Sequence, residues 1–131
     1  MAKYPLISIG EVTTMPERAT SSIGAGASLG AAVSLAAFGM PLGVETDADW
    51  DAAAMTFQGS FDGETYVDVV DEYGTEVSLG TLSAGVNSRP LGIDLILNLM
   101  RFQYVKPRSG TTDTATNQND ATVVTFVGRP W

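Results

Sequence analysis

Cysteine and histidine are both missing from this chain of 131 residues. Without cysteine there is no disulfide framework and no thiolate nucleophile. Without histidine a zinc site would have to be built from carboxylates alone, which is rare for that metal. Cations are scarce as well. Seven Lys and Arg stand against 15 Asp and Glu, for a formal net charge of -8. A phosphate backbone is bound by clustered cations that release its counterions, so nucleic acid is not an expected partner. Arg101, Lys106 and Arg108 form the one loose basic group, and the sequence reads as a solvated strand edge there. Charged residues amount to 17%, below the roughly one quarter that is usual. Part of the surface is therefore uncharged, which suits a protein packed against neighbours.

Residues 19–44 carry no charge at all, a run long enough to span a bilayer. It consists mainly of Ala, Gly and Ser, however, and Pro41 interrupts it. Leu29, Ala31, Val33 and Leu35 alternate with Gly30, Ala32, Ser34 and Ala36, the period of a strand with one buried face. The expectation is a strand and no membrane span. The opening MAKYPLISIGE lacks a basic segment followed by an apolar core, so no secretory signal is expected.

The length fits one domain. Residues 1–22 read as an extended N-terminal arm, with Pro5 and Pro16 bracketing Ile7, Ile9 and Val12, and residues 23–131 as the folded unit. In MTFQGSFDGETYVDVVDEYGTEVSL, residues 55–79, apolar and polar positions alternate on either side of Asp62-Gly63, which offers a tight hairpin turn. Tyr66 to Val70 is the expected return strand, Gly74 closes the next turn, and residues 83–92 read as a loop. IDLILNLM, residues 93–100, is ambiguous. Ile93, Ile96, Leu97 and Met100 share a helical face, whereas Ile93, Leu95, Leu97 and Leu99 share a strand face. A strand over 101–106 ends at Pro107, residues 109–120 form a polar loop, and TVVTFV, 122–127, is a last strand. Seven or eight short strands with turns between them predict an all-β, antiparallel sandwich or jelly roll.

Several short matches to chemical motifs dissolve on inspection. Gly26-Ala27-Ser28-Leu29-Gly30 has the form of a nucleophile elbow, but the histidine that takes the serine proton in a triad is absent. Gly24, Gly26 and Gly30 miss the dinucleotide fingerprint by one residue and lack its strand-turn-helix context. Asp47, Asp49 and Asp51 open like a calcium loop, yet Ala52 stands where Gly is required and Gln58 where Glu is required. A polar turn capped by these carboxylates is the plainer reading. Asp68, Asp71 and Glu72 could form an acid/base pair only at a fixed separation across a sugar cleft, and turn positions suit them better. No catalytic residue, metal ligand or cofactor is assigned. Trp50 reads as a core anchor, and Tyr73, next to Gly74 in a turn, as the aromatic residue most open to contact a glycan.

DWDAAAMTFQGSFDGETYVDVVDEYGTEVSL (49–79) and RFQYVKPRSGTTDTATNQNDATVVTFV (101–127) together resemble small structural proteins of tailed-bacteriophage virions. The shared features are Trp50, Ala53, Thr56-Phe57-Gln58, Ser60, Asp62-Gly63, Tyr66, Asp71 and Gly74, followed by Phe102, Arg108-Ser109-Gly110 and Asn117-Gln118. Their order and spacing carry the resemblance, which covers about residues 28–128; Lys106-Pro107 departs from it. It implies a galactose-binding-like β-sandwich that serves as a capsid-decorating, cementing or tail-associated module. It further implies a virion location after assembly in the host cytoplasm, with the major capsid protein or other virion proteins and further copies of itself as partners. A carbohydrate-binding module that touches the host surface, with Tyr73 as the glycan contact, is the alternative. The negative charge agrees with a place outside the capsid, away from packaged DNA, and the lack of cysteine with assembly in a reducing cytoplasm. Tyr4, Ile7, Ile9 and Val12 are the expected arm contacts, as apolar residues without an intradomain strand partner.

Overall fold

The structure, a computed structural model, describes residues 17–131. The four expected arm contacts, Tyr4, Ile7, Ile9 and Val12, lie outside the described residues. In chain order the strands are β1 (Glu17–Ile23), β2 (Val33–Ser34), β3 (Met40–Thr46), β4 (Ala53–Ser60), β5 (Val67–Asp68), β6 (Thr81–Leu82), β7 (Asn87–Pro90), β8 (Tyr104–Ser109) and β9 (Thr122–Arg129). Two helices interrupt them, α1 (Leu35–Phe38) and α2 (Ile93–Met100). The protein is mostly β, with 44% strand and 10% helix.

The strands form two antiparallel sheets, an arrangement consistent with an all-β sandwich. One has the order β1-β9-β3-β7, and the other has the order β2-β8-β4-β5 with β6 also paired to β4. Alternation along β9 builds the core: Val124 and Phe126 are fully buried, whereas Val123, Thr125 and Val127 are half-buried on the outer face. Met55 and Phe57 of β4 and Val105 of β8 join Ile23, Val44, Val124 and Phe126 in one apolar cluster. The rings of Phe57 and Phe126 lie 6.1 Å apart, within the range of favourable aromatic pairs. Trp50 is in the same cluster.

Local chemistry explains where the structure departs from the sequence pattern. Residues 17–22, assigned to the arm from sequence, belong to β1, which pairs with β9 from Glu17↔Gly128 to Ile23↔Thr122. The uncharged run 19–44 is not one strand. Leu29 makes a single bridge to Arg108, Val33–Ser34 pair with β8, and then Ser34 caps a helical turn by accepting from the Ala37 N–H. No helix among the described residues is long and apolar enough to cross a membrane. The stretch 83–92 contains β7, an edge strand paired to β3.

Residues 93–100 form helix α2, and it buries neither of the two faces weighed from sequence. Leu95, Ile96 and Leu99 enter the core, while Ile93 and Leu97 face outward. Pro107 does not end its strand but sits inside β8, opposite Phe57. The Pro107 carbonyl accepts from the Gly30 N–H, and the Phe57 carbonyl accepts from Val69. The proline nitrogen therefore points away from β4, toward the side where β2 has already ended, so the missing N–H breaks no ladder bond. Gly59 on β4 packs beneath the Phe102 ring, where any Cβ would collide.

Candidate functional site

The outer face of the five-stranded sheet gathers most of the polar chemistry. Thr56 pairs with Arg108 and Gln58 with both Asp68 and Lys106, so these side chains share one face. Arg108 is 7% exposed. Its Nη1 lies 3.0 Å from Asp68, its Nη2 contacts Glu76 and donates to Thr112, and its Nε donates to Thr56. The basic group expected as a solvated edge is thus committed instead: Lys106 sits 4.0 Å from the centre of the Tyr66 ring, and Arg101 donates to the Val70 carbonyl. Burial would raise the Asp68 carboxyl, but hydrogen bonds and the Arg108 charge outweigh it and hold the group below its ordinary value. A buried cation held by two carboxylates and two hydroxyls is a locked network.

Two other acids, Asp62 and Asp71, brace turns. Asp62 accepts from the N–H groups of Thr65 and Glu64 and from the Ser60 hydroxyl, and these bonds lower its pKa to about 2. The expected Asp62-Gly63 hairpin is present, but it spans residues 61–66. Gly63 takes a positive φ, +81°, and the Asp62 side chain braces the turn by accepting from the Glu64 and Thr65 N–H groups. Asp71 accepts from Tyr73 and Thr75 in the next turn, closed by Gly74 at φ +80°.

Asp47 and Asp51 diverge to separate partners. Asp47 accepts from Asp49, from the Thr122 hydroxyl and from the Val123 N–H, so that burial, which alone would raise its pKa, is overridden and the value falls. Asp51 accepts from the Asn119 N–H. Among the described residues no group of three or more acidic side chains converges as a metal site.

Gln118 is a fastener that sequence reasoning did not single out by role. It is fully buried, and its amide makes a two-way bridge to the Asp51 N–H and carbonyl. Its own backbone donates to Ala27 and accepts from Gly26. One residue thereby ties the 109–120 loop to two other loops. Ser28, from the elbow-like match, lies on the segment alongside β8, where its carbonyl accepts from the Ser109 N–H. That place is not a strand-to-helix elbow.

Large apolar side chains, in contrast, face outward in several places. Phe61 is 64% exposed and stacks 5.0 Å from Phe102, and with Val67 it lines a hollow of about 140 Å³. Ile93 and Leu97 stand one turn apart on the exposed side of α2. Tyr73, the expected glycan contact, is 84% exposed at its turn. A groove of about 330 Å³ runs between β1 and the Ala32–Phe38 segment. No family model, curated protein or solved structure matches this chain.

Proposed function

We propose that the protein is a non-enzymatic structural component of a tailed-bacteriophage virion, one that decorates or cements the capsid. Its fold would be a jelly roll or galactose-binding-like variant of the two-sheet arrangement. The observation that carries the reading is a division of labour among side chains. Gln118, Arg108, Asp47 and Asp71 bond inward to the protein itself, while Phe61, Val67, Ile93 and Leu97 are turned outward. Paired exposed apolar residues of this kind favour contact with other protein. The net charge of -8 supports a position outside the capsid shell, where packaged DNA does not repel it.

The partners on this reading are the major capsid protein, other virion proteins and further copies of the chain. The arm contacts Tyr4, Ile7, Ile9 and Val12 belong to the same proposal. The test is mass spectrometry of purified particles from the genome that encodes this chain, followed by deletion of residues 2–16. The full chain is expected in stoichiometric amounts, and the truncated chain, with β1 intact, is expected to fold and to be missing from particles. Absence of the full chain from particles overturns the assignment. A glycan-binding role is favoured only by the exposed Tyr73 ring, and would require sugar affinity that Tyr73→Ala abolishes.

A further inference from the structure

The core runs out at one end of the five-stranded sheet. Val67 on β5 pairs with Gly59 on β4, so by the alternation of strands it shares a face with Phe57. Val69, two residues along, is fully buried, whereas Val67 is 51% exposed. Phe61, just past the end of β4, is 64% exposed and rests on Phe102, itself only 4% exposed. The hollow of about 140 Å³ lies here. Gly59, Phe61, Val67 and Phe102 give it apolar surface, and Asp62 is its one charged lining residue.

Asp62 uses its two carboxylate oxygens unequally. The Thr65 N–H, the Glu64 N–H and the Ser60 hydroxyl all donate to Oδ1, at 2.9, 2.8 and 2.9 Å. Among the described residues no hydrogen bond reaches Oδ2. The three donors hold the pKa at about 2, so the group stays an anion at neutral pH. Among the described residues no cation forms an ion pair with it. Arg101 sits 4.8 Å over the Phe102 ring and donates to the Val70 carbonyl, and it does not line the hollow. An apolar recess thus adjoins an unanswered negative charge.

We propose that this hollow receives one lysine side chain of a partner protein, its methylene stem against Phe61, Val67 and Phe102 and its ammonium on Asp62 Oδ2. Size limits the occupant. A cavity of about 150 Å³ takes one benzene, so this hollow admits a single side chain and no folded segment. Chemistry then selects among side chains. A purely apolar one would shield the carboxylate from water and offer it no partner. Arginine binds a carboxylate as a fork across both oxygens, and three donors already occupy Oδ1. One free oxygen suits a compact ammonium, and the lysine stem lies well along apolar surface. The inference rests on the protein-binding role in the proposed function and gives it a contact.

The probes are lysine and norleucine, each as its N-acetyl amide, which differ by the ammonium at the end of the stem. Binding to the full chain is read by NMR from the Val67 methyl groups and the Gly59 and Thr65 amides. Capped lysine is expected to shift these signals saturably and to bind about threefold or more tightly than capped norleucine. Asp62→Asn, which keeps an Oδ1 acceptor, is expected to erase that preference. Glu64→Gln makes the same change in net charge outside the hollow and is expected to keep it. Phe61→Ser should weaken both probes. The lysine–norleucine ratio is measured on wild type, so it decides even if Asp62→Asn fails to fold. No saturable shift with capped lysine, equal affinity for the two probes, or an equal loss in both charge variants overturns the proposal. Shifts of the same signals with protein concentration alone would assign the hollow to a second copy and overturn it as well. All of this is read on isolated protein, so failure here leaves the virion assignment to its own test.

Discussion

Two arginines on the two sheets show how little residue type says about role. Arg18 on β1 reaches across β9 to Glu45 at 2.8 Å, with its side chain 58% exposed and that of Glu45 36% exposed. Arg108 on β8 is 8% exposed at the side chain and meets Asp68, Glu76, Thr56 and Thr112. The first decorates a sheet whose long ladders already hold it, from Glu17↔Gly128 to Ile23↔Thr122 along β1 alone. The second anchors a sheet whose strands β2, β5 and β6 are two residues each. Where backbone pairing is long, charge is spare; where pairing is short, side chains take over the work of the ladder. Val70 and Glu76 illustrate this, since they are joined by one bridge and held down by Arg101 and Arg108.

The largest effect is expected from breaking the anchor. Arg108→Met leaves Asp68 and Glu76 facing one another without their cation. Removing one partner from a buried pair costs about 3–5 kcal/mol, and the partial exposure of both carboxylates, 33% and 21%, places this case at about 3 kcal/mol. Urea unfolding measures it. The triple change Arg108→Met, Asp68→Asn, Glu76→Gln is expected to restore most of the loss, because the penalty comes from stranded charge and not from lost attraction. A single variant within about 0.5 kcal/mol of wild type would mean that the 68–76 segment is held by something else.

Of the four-stranded sheet only β9 is legible in sequence, since residues 17–22 read as arm, 83–92 as loop, and no strand is expected over Met40–Thr46. Val124 and Phe126 against Val123, Thr125 and Val127 is a period-two pattern that backbone geometry enforces. The turns at Gly63 and Gly74 are legible because positive φ favours glycine. The polar fasteners are hidden. Arg108 finds Glu76 and Asp68 at separations of 32 and 40 residues along the chain, and Gln118 reaches Asp51 from 67 away. No local period encodes such meetings, so Arg108 reads as a solvated cation and Gln118 as loop. Helix α2 shows a different failure. Eight residues with apolar side chains on both candidate faces do not reveal which one a core will take, and tertiary packing chose Leu95, Ile96 and Leu99.

Acid should sharpen the comparison next. Asp47, Asp62 and Asp68 all have folded pKa values below the ordinary 3.8, and that of Asp62 is about 2. A carboxyl whose folded pKa is depressed binds protons more readily when unfolded. Its contribution is therefore fully present above pH 3.8 and declines as the pH falls toward 2. The melting temperature is expected to hold steady from neutral pH to about 5, and then to drop. Asp62→Asn should lower the melting temperature at neutral pH and make the acid-side slope shallower. An unchanged slope would show that Asp62 carries none of the loss.

The smallest effect belongs to Arg18→Ala, and its smallness is informative. The hydrogen bond to Glu45 raises the arginine pKa above its already high value, so no titration near neutrality depends on it. Both side chains are open to solvent, where ionic screening and lost rotamer freedom cancel most of the attraction. The β1–β9 ladder does not use the Arg18 side chain. The melting curve is expected to overlay that of wild type at physiological salt, and added salt should not separate the two. A clear loss of stability would mean that the long ladder needs its surface charge, and the contrast between the two sheets would fail.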